Sequence, residues 1–302
     1  MTVEVIKPPN IDDALAKLIS LSQQSQNNPP TEFVFRGQQN SEWKLNTSYD
    51  RYWPGKPIHD ELFVKRMVAQ FRSGVTRLGL QTSLGNNQLA WLEYARHHGL
   101  PAPLLDFSWS PFVALFFAFD GVRNGQEPLR KAAVYALNLN QLAKEMAQRK
   151  GADIGSFDAF LSEMNKFLYH GHERLREEFP QDELLFIRYP NAHTQRMHVQ
   201  LGVFLYSTMS FGGGDAEPSD LEEFLHKIQE GFQSSVLPNT RDPVLIKMEL
   251  PYSWVSQVFS RLEIMNVSGS TMFLSAEGVA KDIYNSYNYR SRAAFLREDS
   301  SL

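Results

Sequence analysis

The sequence predicts an α+β fold, a mixed sheet core with flanking helices, and three observations lead there. Apolar residues make up 42% and charged residues 21% of the 302, the composition of an ordinary globular core. Strand-like and helix-like hydrophobic patterns follow one another irregularly, without the regular β-α alternation of a doubly wound sheet. The longest apolar run, FVALFFAF from Phe112 to Phe119, falls far short of the roughly 20 residues that span a bilayer. It reads as a helix buried on all sides within the protein.

The elements follow in order. Ile11, Ala14, Leu15, Leu18 and Ile19 form one stripe of a helix from about Asn10 to Gln24, with Asn10 as cap and Asp12 and Asp13 at the positive end of its dipole. After the polar SQQSQNNPP comes a short strand, Glu32–Gln38, then a Trp/Tyr-rich loop and a helix in which Phe63, Met67 and Phe71 align. A helix around Asn87–His98 ends at Gly99, Leu104–Phe107 reads as a buried strand, and Ser110-Pro111 launches the apolar helix that Asp120-Gly121 stops. Further strands are expected at Ala132–Leu139, Glu183–Arg188 and Leu201–Ser207, with helices near Gln141–Arg149 and Ser156–Leu168. Beyond the stretch FGGGDAEPSD, a helix, a strand PVLIKMEL and helices near Tyr252–Met265 and Ala276–Tyr287 close the chain. The domain plan is a lead-in over 1–31, a core over 32–210, a flexible linker FGGGDAEPSD over 211–220 and a C-terminal α/β extension over 221–302 packed on the core.

Composition excludes several function classes. Thirty Lys and Arg against 34 Asp and Glu give a net charge of −4, which argues against a mainly electrostatic grip on duplex nucleic acid but leaves room for a local basic groove. The absence of cysteine excludes disulfides, zinc ribbons, iron–sulfur clusters and a thiol nucleophile. MTVEVIKPPN lacks the apolar core of a signal peptide, so a cytoplasmic protein with no membrane partner is expected. No G-x-S-x-G, Walker, Rossmann or H-E-x-x-H pattern is present. The HGHE of residues 170–173 would set its histidines about 200 degrees apart on a helix, without a third ligand nearby, so no metal is expected.

Three clusters carry chemistry. Arg36, at the end of an apolar strand and followed by Gly37, is either a bidentate anchor for a phosphate or carboxylate, with glycine allowing close approach, or a structural ion-pair partner. In the second cluster Asp106, Ser108 and Ser110 lie between a buried strand and a buried helix, where each must find a partner: a helix cap or a ligand. Ser110 suits the cap. His97 and His98 suit a general base by their titration range, or a helix C-terminus by their charge. In the third, Arg196, Gln200, Gly202 and Phe204 lead into a strand. Glu183 opens an earlier one as either a stabiliser of a positive sugar-like transition state or a solvated edge charge.

Together these clusters resemble the FRG domain, a family named for its Phe-Arg-Gly strand, here Phe35, Arg36 and Gly37 extended by Gln38, Trp43 and Leu45. The middle matches its histidine–glycine–leucine–proline stretch, then Leu104, Leu105 and Asp106 and the Ser110-Pro111 helix; the third match is Arg196, Gln200, Gly202 and Phe204. The likeness spans roughly Glu32 to Ser207, with Met272–Ile283 similar to the family's C-terminal helix entry. One departure is Ala102-Pro103, where the family usually has Thr-Arg. The resemblance implies a bacterial, cytoplasmic protein, in some cases from phage-defence neighbourhoods. A more distant similarity to ADP-ribosyltransferases implies NAD as substrate and a toxin- or defence-type effector. On that similarity the catalytic residues are Arg36 on the diphosphate or ribose, Ser108 on the nicotinamide ribose and Glu183 on its 2′-hydroxyl; Gly37, Gln38, His98, Asp106, Arg196 and Gln200 complete the ligand site. The acceptor would be a nucleic acid or protein. A different reading is a non-enzymatic sensor or interaction domain that binds a nucleotide, nucleic acid or phage protein.

Overall fold

The computed structural model describes residues 3–23, 31–53, 61–80, 83–123, 129–149, 185–188, 194–207, 221–225 and 242–289. Its strands are Val3–Ile6 (β1), Phe33–Gln38 (β2), Leu105–Ser108 (β3), Lys131–Asn138 (β4), Leu185–Arg188 (β5), Gly202–Ser207 (β6) and Leu245–Pro251 (β7). Its helices are Ile11–Gln23 (α1), Ser48–Tyr52 (α2), Glu61–Arg77 (α3), Gln88–His97 (α4), Pro111–Phe119 (α5), Leu139–Arg149 (α6), Gln195–Val199 (α7), Val255–Ile264 (α8), Gly269–Phe273 (α9) and Ala276–Tyr289 (α10). The strands form one mixed sheet in the order β1-β7-β4-β2-β3-β6-β5, parallel between β1 and β7 and antiparallel elsewhere, so the fold is α+β.

Period-two alternation splits the core into two apolar layers. Phe33, Phe35, Val134, Ala136, Ile246 and Met248 pack on α1, α5 and α8. Val34, Tyr135, Leu137, Leu105 and Phe107 turn to the other face, where α3, α4 and α6 cover them. Helices thus flank the sheet on both sides. The expected caps are in place: the side chains of Asn10 and Ser110 accept from the amides of Asp13 and Val113, each three residues on, and Asn87 caps α4 in the same way through the Ala90 amide. Gly99 takes φ +87° just beyond α4, the left-handed end the sequence signalled.

Some expectations shift. The strand read to Leu139 ends at Asn138, and Leu139 opens α6. The C-terminal stretch does more than pack on the core, since β7 lies inside the sheet between β1 and β4. Four short elements escaped the sequence reading: β1, α2, α7 and α9. The helix expected at 156–168 and the linker at 211–220 lie outside the described residues.

The β2–β3 junction positions the site. Its ladder has one residue pair, Phe35 with Ser108, and the strands part beyond it. Backbone groups left by a parting ladder need other partners. One of them, the carbonyl of Asp106, receives the Arg36 Nη1 hydrogen bond at 2.7 Å.

Candidate functional site

A cleft of about 1100 Å³ opens where β2 and β3 part. Its wall comprises the end of β2, the last turn of α4, β3, the first turns of α5, α7 with the start of β6, and Glu277 of α10. Arg36, Gly37, Gln38, His98, Asp106, Ser108, Arg196 and Gln200 all line it, so residues from three distant stretches meet in one hollow. Glu183 lies outside the described residues.

At the centre is a carboxylate held by two guanidiniums. Asp106 Oδ2 is 2.6 Å from Arg96 Nη2 and 3.7 Å from Arg36 Nη1. Burial works against the charge on Asp106, but Arg96, Arg36 and His97 outweigh it and hold the carboxyl below its ordinary range. Arg36 is the more deeply set: burial pulls its pKa to about 10 despite the opposing attraction of Asp106. The Nε atoms of Arg36, Arg96 and Arg196 are buried with no hydrogen-bond partner among the described residues. Arg51 joins the same wall, its Nη1 bonded to the Asn46 carbonyl at 2.7 Å.

The Arg96 and Arg51 contributions were not read from the sequence. Arg96 sits in the last turn of α4, where a basic residue is already explained by the helix dipole. Arg51 is carried by α2, whose capping box between Thr47 and Asp50 is visible in the sequence as Thr-x-x-Asp and would have located the helix. Ala102 is fully buried and exchanges hydrogen bonds with the Ser48 hydroxyl through its backbone. Neither Ala102 nor Pro103 lines the cleft; Arg51 and Arg96 do.

Several expected site residues have structural commitments. Gly37 shares a face with Phe33 and Phe35, and the space for its Cβ is occupied by the α5 backbone rather than by the cleft. A methyl group there would overlap the Ala114 carbonyl oxygen and lie 2.5 Å from the Ala118 nitrogen. Helix-on-strand packing therefore requires glycine at this position, which also lines the cleft. The Ser108 hydroxyl donates to the Gln200 carbonyl at 2.7 Å and accepts from the Ser110 amide at 3.0 Å, fixing the turn into α5. Gln200 Nε2 donates to the Met272 carbonyl at 2.9 Å, tying α9 to the cleft wall. Gln38 Nε2 donates to the carbonyls of Asn40 and Trp43, at 3.1 and 2.7 Å, and so shapes the mouth.

The two histidines differ. The His98 ring lies 4.5 Å from Tyr94, and burial and Arg196 lower its pKa. His97 is held more firmly neutral: burial lowers its pKa to about 4, with Asp106 opposing. An unfolded imidazole titrates near 6.5, so between these values the unfolded chain binds the extra proton. The His97 contribution to stability is full above pH about 6.5 and is lost as pH falls toward 4, at up to about 1.4 kcal/mol per pH unit. Melting temperatures from pH 7 to 4 are expected to fall less steeply in His97→Gln than in the parent. Parallel slopes contradict this assignment.

Arg196 lies with its guanidinium carbon 4.5 Å from the centre of the Phe273 ring, and Lys281 Nζ is 5.1 Å from the same ring. Burial lowers the Arg196 pKa, while Glu277 and Asp106 oppose the shift. Among the described residues no group of three His, Cys, Asp or Glu side chains could hold a metal, and no helix is long and apolar enough to cross a membrane.

No curated protein and no solved structure matches the chain significantly. A family model does match, over residues 31–127, which takes in β2, α4, β3 and α5 and stops short of the Arg196 cluster. The model is that of the FRG domain. The strands that part to open the cleft, and the guanidiniums Arg36, Arg51 and Arg96 beside them, therefore belong to an FRG domain carried by this chain.

Proposed function

We propose that the cleft binds a nucleotide-type anion, with NAD or a fragment of it as the first ligand to test. The observation that carries this reading is the guanidinium cluster: Arg36, Arg96 and Arg196 face one cleft, each with a buried Nε that has no partner among the described residues. Leaving a buried donor unmet costs about 1–3 kcal/mol. A phosphate or diphosphate would satisfy such donors through the planar fork of arginine. Five cationic side chains, Arg36, Lys44, Arg51, Arg96 and Arg196, line the cleft against three carboxylates in a chain of net charge −4, a local field suited to an anion. A volume of about 1100 Å³ lies at or above the top of the roughly 300–1,000 Å³ range of small-molecule pockets, room enough for a dinucleotide.

Within this reading, the hydrogen bonds of Ser108 favour a sensor or interaction role over ADP-ribosyl transfer, because its hydroxyl proton is already given to Gln200. Such a sensor would suit the defence setting that the family resemblance implies. The test is thermal unfolding of the full chain with NAD, ADP-ribose and ADP, alongside an assay of nicotinamide release. At a hundredfold excess over Kd, a ligand specific to the folded state adds about 2.7 kcal/mol. A rise in melting temperature without nicotinamide release is expected. Release that Arg36→Ala stops favours transfer, and no shift with any of the three ligands overturns the binding reading.

A further inference from the structure

We infer that the cleft selects a sugar phosphate over a bare anion, and that Glu277 is the residue that makes the selection; this rests on the nucleotide reading above. Three carboxylates line the cleft: Asp106, Asp120 and Glu277. Asp106 is taken by Arg96 and Arg36. Asp120 is bound by both contacts of Lys281, at 2.9 and 3.1 Å, while the Asp120 carbonyl accepts from Gln39. Glu277 differs. Among the described residues it forms no hydrogen bond or ion pair, and it meets Arg196 only as a longer-range attraction.

Sequence spacing sharpens the point. Lys281 stands four residues after Glu277 on α10, the usual position for a helical ion pair. It reaches across to Asp120 instead. Glu277 is thereby left as a hydrogen-bond acceptor at the wall of a cleft whose floor offers donors. An ionised carboxylate donates nothing and accepts through both oxygens. Arg196 lies within electrostatic reach of Glu277 and has a buried Nε without a partner among the described residues, so the complementary ligand carries both an anion and hydroxyl donors. The pentose of a nucleoside diphosphate has that pairing; pyrophosphate lacks the hydroxyls, and Glu277 repels it.

The test is calorimetric titration of the full chain with ADP, 2′,3′-dideoxy-ADP and pyrophosphate, in the parent, Glu277→Gln and Glu277→Ala. Glu277 is exposed on its helix, so both variants are expected to fold, and thermal unfolding verifies it. Hydrogen bonds to a charged group correspond to about a 10- to 100-fold preference for ADP over its dideoxy form in the parent. Glu277→Ala is expected to lose that preference while binding pyrophosphate at least as tightly as the parent. Equal affinity of the parent for ADP and dideoxy-ADP, or a preference that survives Glu277→Ala, overturns the selection by Glu277 and leaves the anion reading standing. Failure of the parent to bind any of the three overturns both.

Discussion

Gly37→Ala is expected to cost about 3 kcal/mol or more, lowering the melting temperature by about 6 °C or more or leaving the chain insoluble. The added methyl meets the Ala114 carbonyl oxygen and the Ala118 nitrogen, both backbone atoms of α5. Neither can move without shifting the helix. That helix is buried along most of its length, with Leu115, Phe116, Ala118 and Phe119 fully enclosed, so no side-chain rotation relieves the overlap. Gly202→Ala is the control. It also lies at the cleft, but its Cβ would sit 3.7 Å from the Met197 carbonyl oxygen, an ordinary contact. Its cost is expected to stay within about 1 kcal/mol. Wild-type stability in Gly37→Ala contradicts the packing account of the Phe-Arg-Gly strand.

Asp106→Asn is expected to destabilise the free protein and to increase the stabilisation given by an anion. The carboxylate lies between Arg36 and Arg96, whose side chains are 14% and 24% exposed, and its loss leaves two poorly solvated cations facing each other. Breaking a fully buried pair costs about 3–5 kcal/mol. Asp106 is itself 40% exposed, and the solvent screening that follows lowers the figure to about 2 kcal/mol. The same two guanidiniums then offer a phosphate a place the carboxylate had filled. The variant is expected to melt lower than the parent without ligand and to show a larger upward shift with ADP. Equal melting temperatures and equal shifts contradict the view that Asp106 occupies the anion's place between the two guanidiniums.

The sequence made the apolar layers legible and the charged centre only in part. Phe33 and Phe35 declare their positions through the two-residue alternation of a strand, and Phe112 to Phe119 through an unbroken apolar run that only a helix buried on all sides accommodates. Asn10 and Ser110 are local signals answered by an amide a few residues along the chain. Arg36 and Asp106 were recognisable as polar groups that needed partners. The identity of those partners was not: Asp106 and Arg96 are ten residues apart with a turn between, and Arg36 reaches Asp106 across 70 residues. Glu277 was hidden for a related reason. An exposed glutamate four residues before a lysine reads as a helical surface pair, and only the contact between Lys281 and Asp120, 161 residues apart, frees it. The Ser108 hydroxyl was equally ambiguous until Gln200, 92 residues away, accepted its proton. Long-range polar geometry depends on how strands part, and the single β2–β3 pair is a feature that no periodicity records.

The most direct measurement is a calorimetric titration of ADP into the parent chain and into Arg36→Ala at low and moderate salt. Arg36 has its Nη1 on Asp106 and its Nε buried without a partner in the described residues. The account predicts one site in the parent that weakens as salt rises, and about a 100-fold loss of affinity in a variant that still unfolds cooperatively. Equal affinity in the two proteins would contradict it.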